Sequence, residues 1–164
     1  VHRTGIALVG DEGDGKTWAL ATWLASRIKP NGDGPIALWV PSKDATADEL
    51  PDLIAQNLSR RLGQSSERWR DRVIKWAQSG HSNGPLLLLV LDGINERHHP
   101  QWWRRVIEQL AAAPWGSAIA PIVTTRPSYW PKVAGYSHIN WLQVQVSGYD
   151  ESELDTALSQ RGLT

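Results

Sequence analysis

The sequence predicts an α/β fold in which a mostly parallel, five-stranded sheet carries helices on both faces. Short apolar runs alternate along the chain with longer segments whose apolar residues recur every fourth position. These two patterns are typical of buried strands and amphipathic helices. Most of the apolar runs are continuous, as expected of parallel strands that are covered on both sides. The 164 residues suit one compact domain, and we expect a single domain over residues 1–164.

Five segments are predicted to be strands because they are short and apolar. They cover residues 4–9, 36–40, 86–91, 119–124 and 142–146. The third, Leu-Leu-Leu-Leu-Val-Leu, is the most apolar stretch of the chain and is expected at the centre of the sheet. The last, Leu-Gln-Val-Gln-Val, alternates and is typical of an edge strand with one covered face.

The helices are predicted from apolar spacing together with start and stop signals. They run from Lys16 to a stop at Pro30, over residues 50–62, from Ser66 to Gly80, over residues 102–113, and from a capping box at Asp150 onward. In the second of these helices Pro51 lies in the first turn and Gly63 follows the end, which is the usual asymmetry of the two residues.

Composition excludes several function classes. Lys and Arg number 17, as do Asp and Glu, so the net charge is zero and we expect no nucleic-acid partner. No apolar run approaches a membrane span, and we expect no membrane association. The absence of cysteine excludes thiolate metal sites and agrees with a cytoplasmic location. Because the chain begins at Val1 and contains no methionine, we expect it to be an excerpt of a longer protein.

Residues 10–17 read G-D-E-G-D-G-K-T and match the phosphate-binding string G-x-x-x-x-G-K-[ST]. Glycines at Gly10, Gly13 and Gly15 let the backbone curl so that successive N–H groups point at one anion. Lys16 is expected to reach the β- and γ-phosphates, and the hydroxyl of Thr17 to bind Mg²⁺. The nucleotide is therefore predicted to bind between the first strand and the first helix.

Two side-chain questions arise beside this loop. The acidic residues Asp11, Glu12 and Asp14 are expected to point to solvent, while Asp14 contributes its backbone N–H to the phosphate site. Trp18 follows the loop directly, and two interpretations stay open: its ring stacks on the adenine, or it packs against the sheet.

The central strand runs directly into Asp92-Gly93-Ile94-Asn95-Glu96. An apolar strand that ends in aspartate is the Walker B pattern, and it places a carboxylate where open α/β sheets bind ligands. Asp92 is expected to hold Mg²⁺, and Glu96 to orient or deprotonate the attacking water. The structural alternatives are a strand-to-loop cap for Asp92 and a solvated loop carboxylate for Glu96.

The fourth strand ends in Thr124-Thr125-Arg126-Pro127. This position would bring the guanidinium of Arg126 to the sheet edge that carries Asp92, where it could bind the γ-phosphate with two N–H groups. The alternative is a surface arginine that caps a backbone carbonyl.

Three strings together resemble the STAND class of P-loop NTPases, especially its NACHT branch. They are G-D-E-G-D-G-K-T, L-L-L-L-V-L-D-G-I-N-E and P-I-V-T-T-R-P. The resemblance implies a P-loop NTPase three-layer sandwich that acts as a signalling switch in immunity or antiphage defence. In such switches ATP replaces ADP and the protein then forms a homo-oligomer. The resemblance further implies that the first strand lies beside the Thr-Thr-Arg strand, with the Asp92 strand beyond it.

The same resemblance assigns roles to individual residues. It gives phosphate contacts to Gly13, Gly15, Lys16 and Thr17, Mg²⁺ to Thr17 and Asp92, water activation to Glu96 and γ-phosphate sensing to Arg126. Asn95 replaces the usual aspartate, which predicts slow hydrolysis. Residues 148–164 resemble the start of a helical lid, and the resemblance implies winged-helix, sensor and effector domains elsewhere in the protein.

The leading hypothesis is therefore a Mg²⁺-dependent ATPase core, slow and weak or inactive as an isolated domain, that binds ATP and ADP. Two alternatives remain: a scaffold that holds ADP with little turnover, and an AAA-like motor module that acts on nucleic acid. A GTPase is not favoured because no Asn-Lys-x-Asp string occurs. A basic cluster is either a solvated helix surface or a contact for nucleic acid or a neighbouring subunit. It consists of Arg60, Arg61, Arg68, Arg70, Arg72 and Lys75.

Overall fold

The computed structural model describes residues 4–28, 36–79, 87–135, 137–148 and 159. Five strands form one sheet in the order β2-β3-β4-β1-β5, and all four neighbouring pairs are parallel. The strands are β1 (Thr4–Val9), β2 (Ile36–Pro41), β3 (Leu87–Asp92), β4 (Ile119–Thr125) and β5 (Asn140–Gln145). The predicted fold class is confirmed, and so is the expectation that β4 lies between β1 and the Asp92 strand. The Asp92 strand β3 was expected at the centre of the sheet, but it lies second from one edge and β4 is central.

The helices of the described residues fall between these strands. They are α1 (Lys16–Arg27), α2 (Leu50–Leu62), α3 (Ser66–Gln78), α4 (Pro100–Ala111), α5 (Trp115–Ala118) and α6 (Pro131–Ala134), with a 3₁₀ turn at Ser42–Asp44. The fourth helix begins two residues earlier than predicted because proline at its first turn has a helical φ already. The helices α5 and α6 were not predicted, since four residues are too few to show a helical period.

The sheet separates two apolar layers. On one face, alternate strand residues such as Val40, Leu89 and Val123 pack with side chains of α2 to α6. On the other face, Leu8, Val90 and Ile122 pack against Leu20 and Leu24 of α1. Helices therefore lie on both faces, as predicted, and the alternation of neighbouring residues explains why the strands are apolar throughout.

The strand β5 differs from its prediction in bounds and burial. It begins two residues earlier than expected and ends at Gln145. Leu142 and Val144, expected on its covered face, are 58% and 42% exposed. Among the described residues no helix covers them, which leaves this edge of the sheet apolar.

Some predictions fall on residues outside the described ranges. These are the stop of the first helix at residues 30–32, the loop at 81–85 and the capping box of the last helix at 150–153. The start of the helical lid, placed at 148–164, likewise lies outside the description except for residues 148 and 159.

Candidate nucleotide site

The candidate site lies where β1, β3 and β4 end. Because these neighbouring strands are parallel, their carboxyl ends share one edge of the sheet. The loop between β1 and α1 begins there with Gly10, whose N–H donates to the carbonyl oxygen of Thr125 at 3.2 Å. The phosphate-binding string and the end of the Thr-Thr-Arg strand are therefore in direct contact.

Two glycines of the loop have the backbone conformation that the motif requires. The φ angles of Gly13 and Gly15 are 88° and 79°, in the left-handed region that residues with a Cβ rarely adopt. Gly15 is the N-cap of α1, so the N–H groups of the first helical turn face the loop. A twelve-residue helix that begins here adds the positive end of its dipole to any anion held by the loop.

The side chains of Asp14 and Glu12 have partners, contrary to the expectation that all three acidic side chains point to solvent, whereas the contacts of Asp11 run through its backbone. The Oδ2 of Asp14 accepts a hydrogen bond from the backbone N–H of Asp11 at 2.6 Å, which closes the loop on itself. Glu12 is 81% exposed and yet forms an ion pair with Arg126. The sequence pattern could not show these contacts, because loop carboxylates are usually solvated.

The ammonium group of Lys16 lies across the start of the loop. Its Nζ donates to the carbonyl oxygens of Gly10 at 2.8 Å and Asp11 at 2.5 Å. Two of its three N–H donors are thus directed by the backbone of the loop that would surround a phosphate. Trp18 follows in the first turn of α1 and is half-exposed, and its stacking on adenine stays a prediction.

A hydrogen-bonded chain connects the loop to the two neighbouring strands. The hydroxyl of Thr17 donates to Asp92 Oδ1 at 3.0 Å and lies 3.2 Å from Oδ2. The hydroxyl of Thr124, which is buried, donates to the same Oδ1 at 2.5 Å and accepts from the N–H of Gly93 at 2.8 Å. Asp92 is therefore held from both sides.

Thr124 is a site residue that the sequence analysis missed. The string Thr-Thr-Arg was interpreted only through its arginine, and threonine is common in strands for reasons of propensity alone. Its position two residues before Arg126 was the available signal, because alternate residues lie on the same side of a strand.

The residues fit a magnesium ion. Thr17 and Asp92 bring a hydroxyl and a carboxylate oxygen together, and hard divalent cations prefer oxygen ligands. Within the part of the chain that the structure describes, no group of three or more His, Asp or Glu side chains could hold a metal. In nucleotide sites Mg²⁺ is bound by one or two protein oxygens, by phosphates and by water.

The loop after Asp92 positions both Glu96 and Arg126. Gly93 has a φ of 67°, and a Cβ built on it would lie 2.7 Å from the carboxyl carbon of Glu96. The Glu96 carboxylate therefore lies over the Gly93 backbone, and Glu96 is exposed to solvent. Asn95 accepts the backbone N–H of Arg126 on its Oδ1 at 3.1 Å, so this amide supports the arginine.

Arg126 follows β4 and is half-exposed, with its Nη2 2.6 Å from Glu12 Oε2. The guanidinium therefore lies against Glu12 of the phosphate-binding string, and its contact with a γ-phosphate stays a prediction. A nearby contact stiffens the segment that follows: the hydroxyl of Tyr129 donates to the carbonyl oxygen of His98 at 2.5 Å. Burial raises the pKa of Tyr129 to about 12, so this hydroxyl stays a neutral donor at physiological pH.

No protein-family model matches the chain, and no curated protein matches it. Several solved structures share its fold. The Orc1 protein of Aeropyrum pernix, solved in complex with DNA, matches with a TM-score of 0.63 and 16% identity, covering 97% of this chain and 43% of that one. For Cdc6p from Pyrobaculum aerophilum the TM-score is 0.61 and the identity 16%, over 98% and 43% of the two chains.

A third structure, Drosophila ORC bound to DNA, matches with a TM-score of 0.54 and 18% identity, over 96% of this chain and 40% of that one. The chain spans less than half the length of each of these neighbours. At such identities the likeness establishes the fold alone, an α/β fold built on a parallel five-stranded sheet. The comparisons give no support for the narrower STAND and NACHT resemblance, which stays a prediction.

Proposed function

We propose that this chain is the ATP-binding and slowly hydrolysing core of a STAND-type signalling switch, whose nucleotide state controls oligomerisation. One observation supports this more than any other: Thr17, Asp92 and Thr124 form a continuous hydrogen-bonded chain beside the loop that carries Lys16. Strand, glycine loop, hydroxyl and carboxylate thus stand together in the arrangement that nucleoside triphosphate chemistry needs.

The chain's own residues divide the work of hydrolysis. Backbone N–H groups of the loop and the ammonium of Lys16 hold the β- and γ-phosphates. A bound Mg²⁺, held by Thr17 and Asp92, would neutralise charge on the phosphate oxygens. Glu96 takes a proton from a water molecule while the water oxygen bonds to the γ-phosphorus. The bond from that phosphorus to the β-bridging oxygen breaks, and ADP and phosphate result.

Slow turnover is part of the proposal, and two features support it. Glu96 is exposed, so its carboxylate is in contact with bulk solvent. Asn95, at the position where the resembled family has aspartate, uses its Oδ1 to hold the Arg126 backbone. A second carboxylate is therefore missing from the place where it could help to orient water.

The proposal includes no nucleic-acid partner and no membrane. The basic cluster on α2 and α3 is largely occupied by internal contacts: Arg60 pairs with Asp44, and Arg70 with Asp52. Arg61 donates to the carbonyl oxygen of Trp39. A phosphate would have to displace these contacts before it could bind the three guanidinium groups. No helix in the described part of the chain is long and apolar enough to cross a bilayer.

The AAA-like motor remains the second candidate, because the structural neighbours from Aeropyrum pernix and Drosophila were solved with DNA. The leading proposal has three further parts. The same protein carries winged-helix, sensor and effector domains, it forms a homo-oligomer on activation, and it is located in the cytoplasm.

Replacing Arg126 by alanine tests the switch. If its guanidinium binds the γ-phosphate, Arg126→Ala removes a contact that exists with ATP and is missing with ADP. One charge-assisted hydrogen bond contributes about 1.5–3 kcal/mol, so the affinity for ATP relative to ADP should fall about 10- to 150-fold. Calorimetric titration with ADP and with a non-hydrolysable ATP analogue measures this ratio.

The matched control is Arg97→Ala, which removes the same charge from the neighbouring loop, where the guanidinium donates to the carbonyl oxygen of Lys43. Equal losses for ATP and ADP in Arg126→Ala, or the same change in the control, would rule out the sensing role. A ligand can shift a conformational equilibrium only through differential affinity, so the switch would fall with it.

Replacing Thr124 by valine tests how the carboxylate is positioned. The variant keeps the shape of the side chain, removes the donor to Asp92 and leaves the N–H of Gly93 without its partner. Outer-shell partners of metal ligands typically contribute about 10- to 100-fold in metal affinity or activity. We therefore expect the Mg²⁺ concentration for half-maximal ATP binding to rise by that factor. Thr124→Ser, which retains the hydroxyl, should behave like the unaltered chain, and identical behaviour of both variants would contradict the role.

A further inference from the structure

We propose that Glu12 sets the nucleotide preference of this site by competing with the γ-phosphate for the guanidinium of Arg126. The inference deepens the proposed function and rests on it, since it requires that Arg126 binds the γ-phosphate. Glu12 is the third residue of the phosphate loop, and no feature of the loop's motif specifies a carboxylate at this position.

The ion pair joins two separate segments of the site. Arg126 Nη2 and Glu12 Oε2 lie 2.6 Å apart, between the loop after β1 and the residue after β4. The backbone on each side is fixed. The Asp14 carboxylate closes the loop around Glu12, and Asn95 holds the N–H of Arg126. Both side chains are thus presented to each other by ordered backbone, which lowers the entropy cost of the pair.

A carboxylate and a terminal phosphate are alternative ligands for the same group. Both present two oxygens that match the fork of a guanidinium. When Arg126 binds a γ-phosphate, its bond to Glu12 must be exchanged for the new one. ADP has no γ-phosphate, so the pair between Glu12 and Arg126 stays intact when ADP binds. Through this competition Glu12 lowers the affinity of the site for ATP. It does not change the affinity for ADP, because ADP makes no contact with Arg126.

The size of the effect follows from the exposure of the pair. The side chains of Arg126 and Glu12 are 44% and 81% exposed, so water and salt screen their attraction. Pairs of this kind contribute little to stability, and their loss corresponds to about a two- to fivefold change in affinity. In a protein that chooses between ADP and ATP, a factor of this size shifts the balance toward the ADP-bound state.

The test compares Glu12→Gln with Asp11→Asn, each made in the full chain. Both variants remove one negative charge from the exposed part of the same loop. The contacts that the structure gives Asp11 run through its backbone N–H and carbonyl. Calorimetric titrations with ADP and with a non-hydrolysable ATP analogue should show that Glu12→Gln raises the affinity for ATP relative to ADP about two- to fivefold. Asp11→Asn should strengthen the binding of both nucleotides and raise the ratio of ATP to ADP affinity less than Glu12→Gln does.

The variant Arg126→Ala distinguishes a failure of this inference from a failure of the proposed function on which it rests. If Arg126→Ala alters the ratio of ATP to ADP affinity, Glu12→Gln added to it should change that ratio no further. If both Arg126→Ala and Glu12→Gln leave the ratio as it is in the unaltered chain, the sensing role itself is wrong. A third outcome is that Arg126→Ala lowers the ratio of ATP to ADP affinity, while Glu12→Gln and Asp11→Asn raise this ratio equally or leave it unchanged. Arg126 is then a sensor of the γ-phosphate. In that case Glu12 acts only through its charge, and the present inference is overturned.

Discussion

Replacing Glu96 by glutamine is expected to lower the rate of ATP hydrolysis by about 10²- to 10⁴-fold, the usual contribution of a general base. Glutamine keeps the size of the side chain and removes its ability to accept a proton. ATP affinity should be nearly unchanged, because the phosphate contacts come from Lys16 and the loop backbone. Single-turnover release of phosphate from bound ATP measures the rate, and calorimetry measures the affinity.

A control for this variant is Glu108→Gln on α4, an exposed carboxylate in the helix that follows the Glu96 loop. It should hydrolyse ATP at the rate of the unaltered chain. If Glu96→Gln hydrolyses ATP at that rate as well, Glu96 is a solvated loop residue and the water is activated in another way. If the unaltered chain binds ADP tightly and releases no phosphate from ATP, the ADP-holding scaffold describes the protein better.

The fold could be predicted from the sequence because inner strands such as β3 and β4 are buried on both faces. Apolar residues such as Leu89 and Val90 face opposite layers of the sheet, so both must be apolar and the run becomes continuous. The hydrophobic periodicity of the sequence does not predict the order of the strands in the sheet. That β4 lies between β1 and β3 was expected from the resemblance to a family, and the structure confirms it.

The candidate site was predicted where the chemistry depends on neighbouring residues in the chain. The glycines, Lys16 and Thr17 form one string, and their roles follow from the local backbone. The partners of Glu12 and Asp92 could not be predicted, because Arg126 and Thr124 come from a distant strand. A contact between side chains more than a hundred residues apart produces no repeating pattern in the sequence. Only the folded structure shows which carboxylate accepts from which donor.

Replacing Lys16 by alanine is expected to remove most of the affinity for ATP and ADP together. The structure directs its ammonium into the loop through the carbonyl oxygens of Gly10 and Asp11. Each charge-assisted contact from this group to a phosphate contributes about 1.5–3 kcal/mol. With contacts to the β- and γ-phosphates, the loss for ATP should be about 100-fold or more. ADP has only the β-phosphate contact to lose, so its affinity should fall less, about 10- to 150-fold.

Two further variants make the result specific. Lys75→Ala removes an exposed cation from α3 and should leave both dissociation constants unchanged. Lys16→Arg keeps the charge but presents a planar fork in place of a compact ammonium, and it should recover only part of the affinity. Calorimetric titration of all three variants with ADP and with a non-hydrolysable ATP analogue gives the comparison. An unchanged dissociation constant in Lys16→Ala would remove the phosphate role from Lys16. The hydrogen-bonded chain from Thr17 to Thr124 would then be a structural feature of the sheet edge and no longer evidence for a nucleotide site.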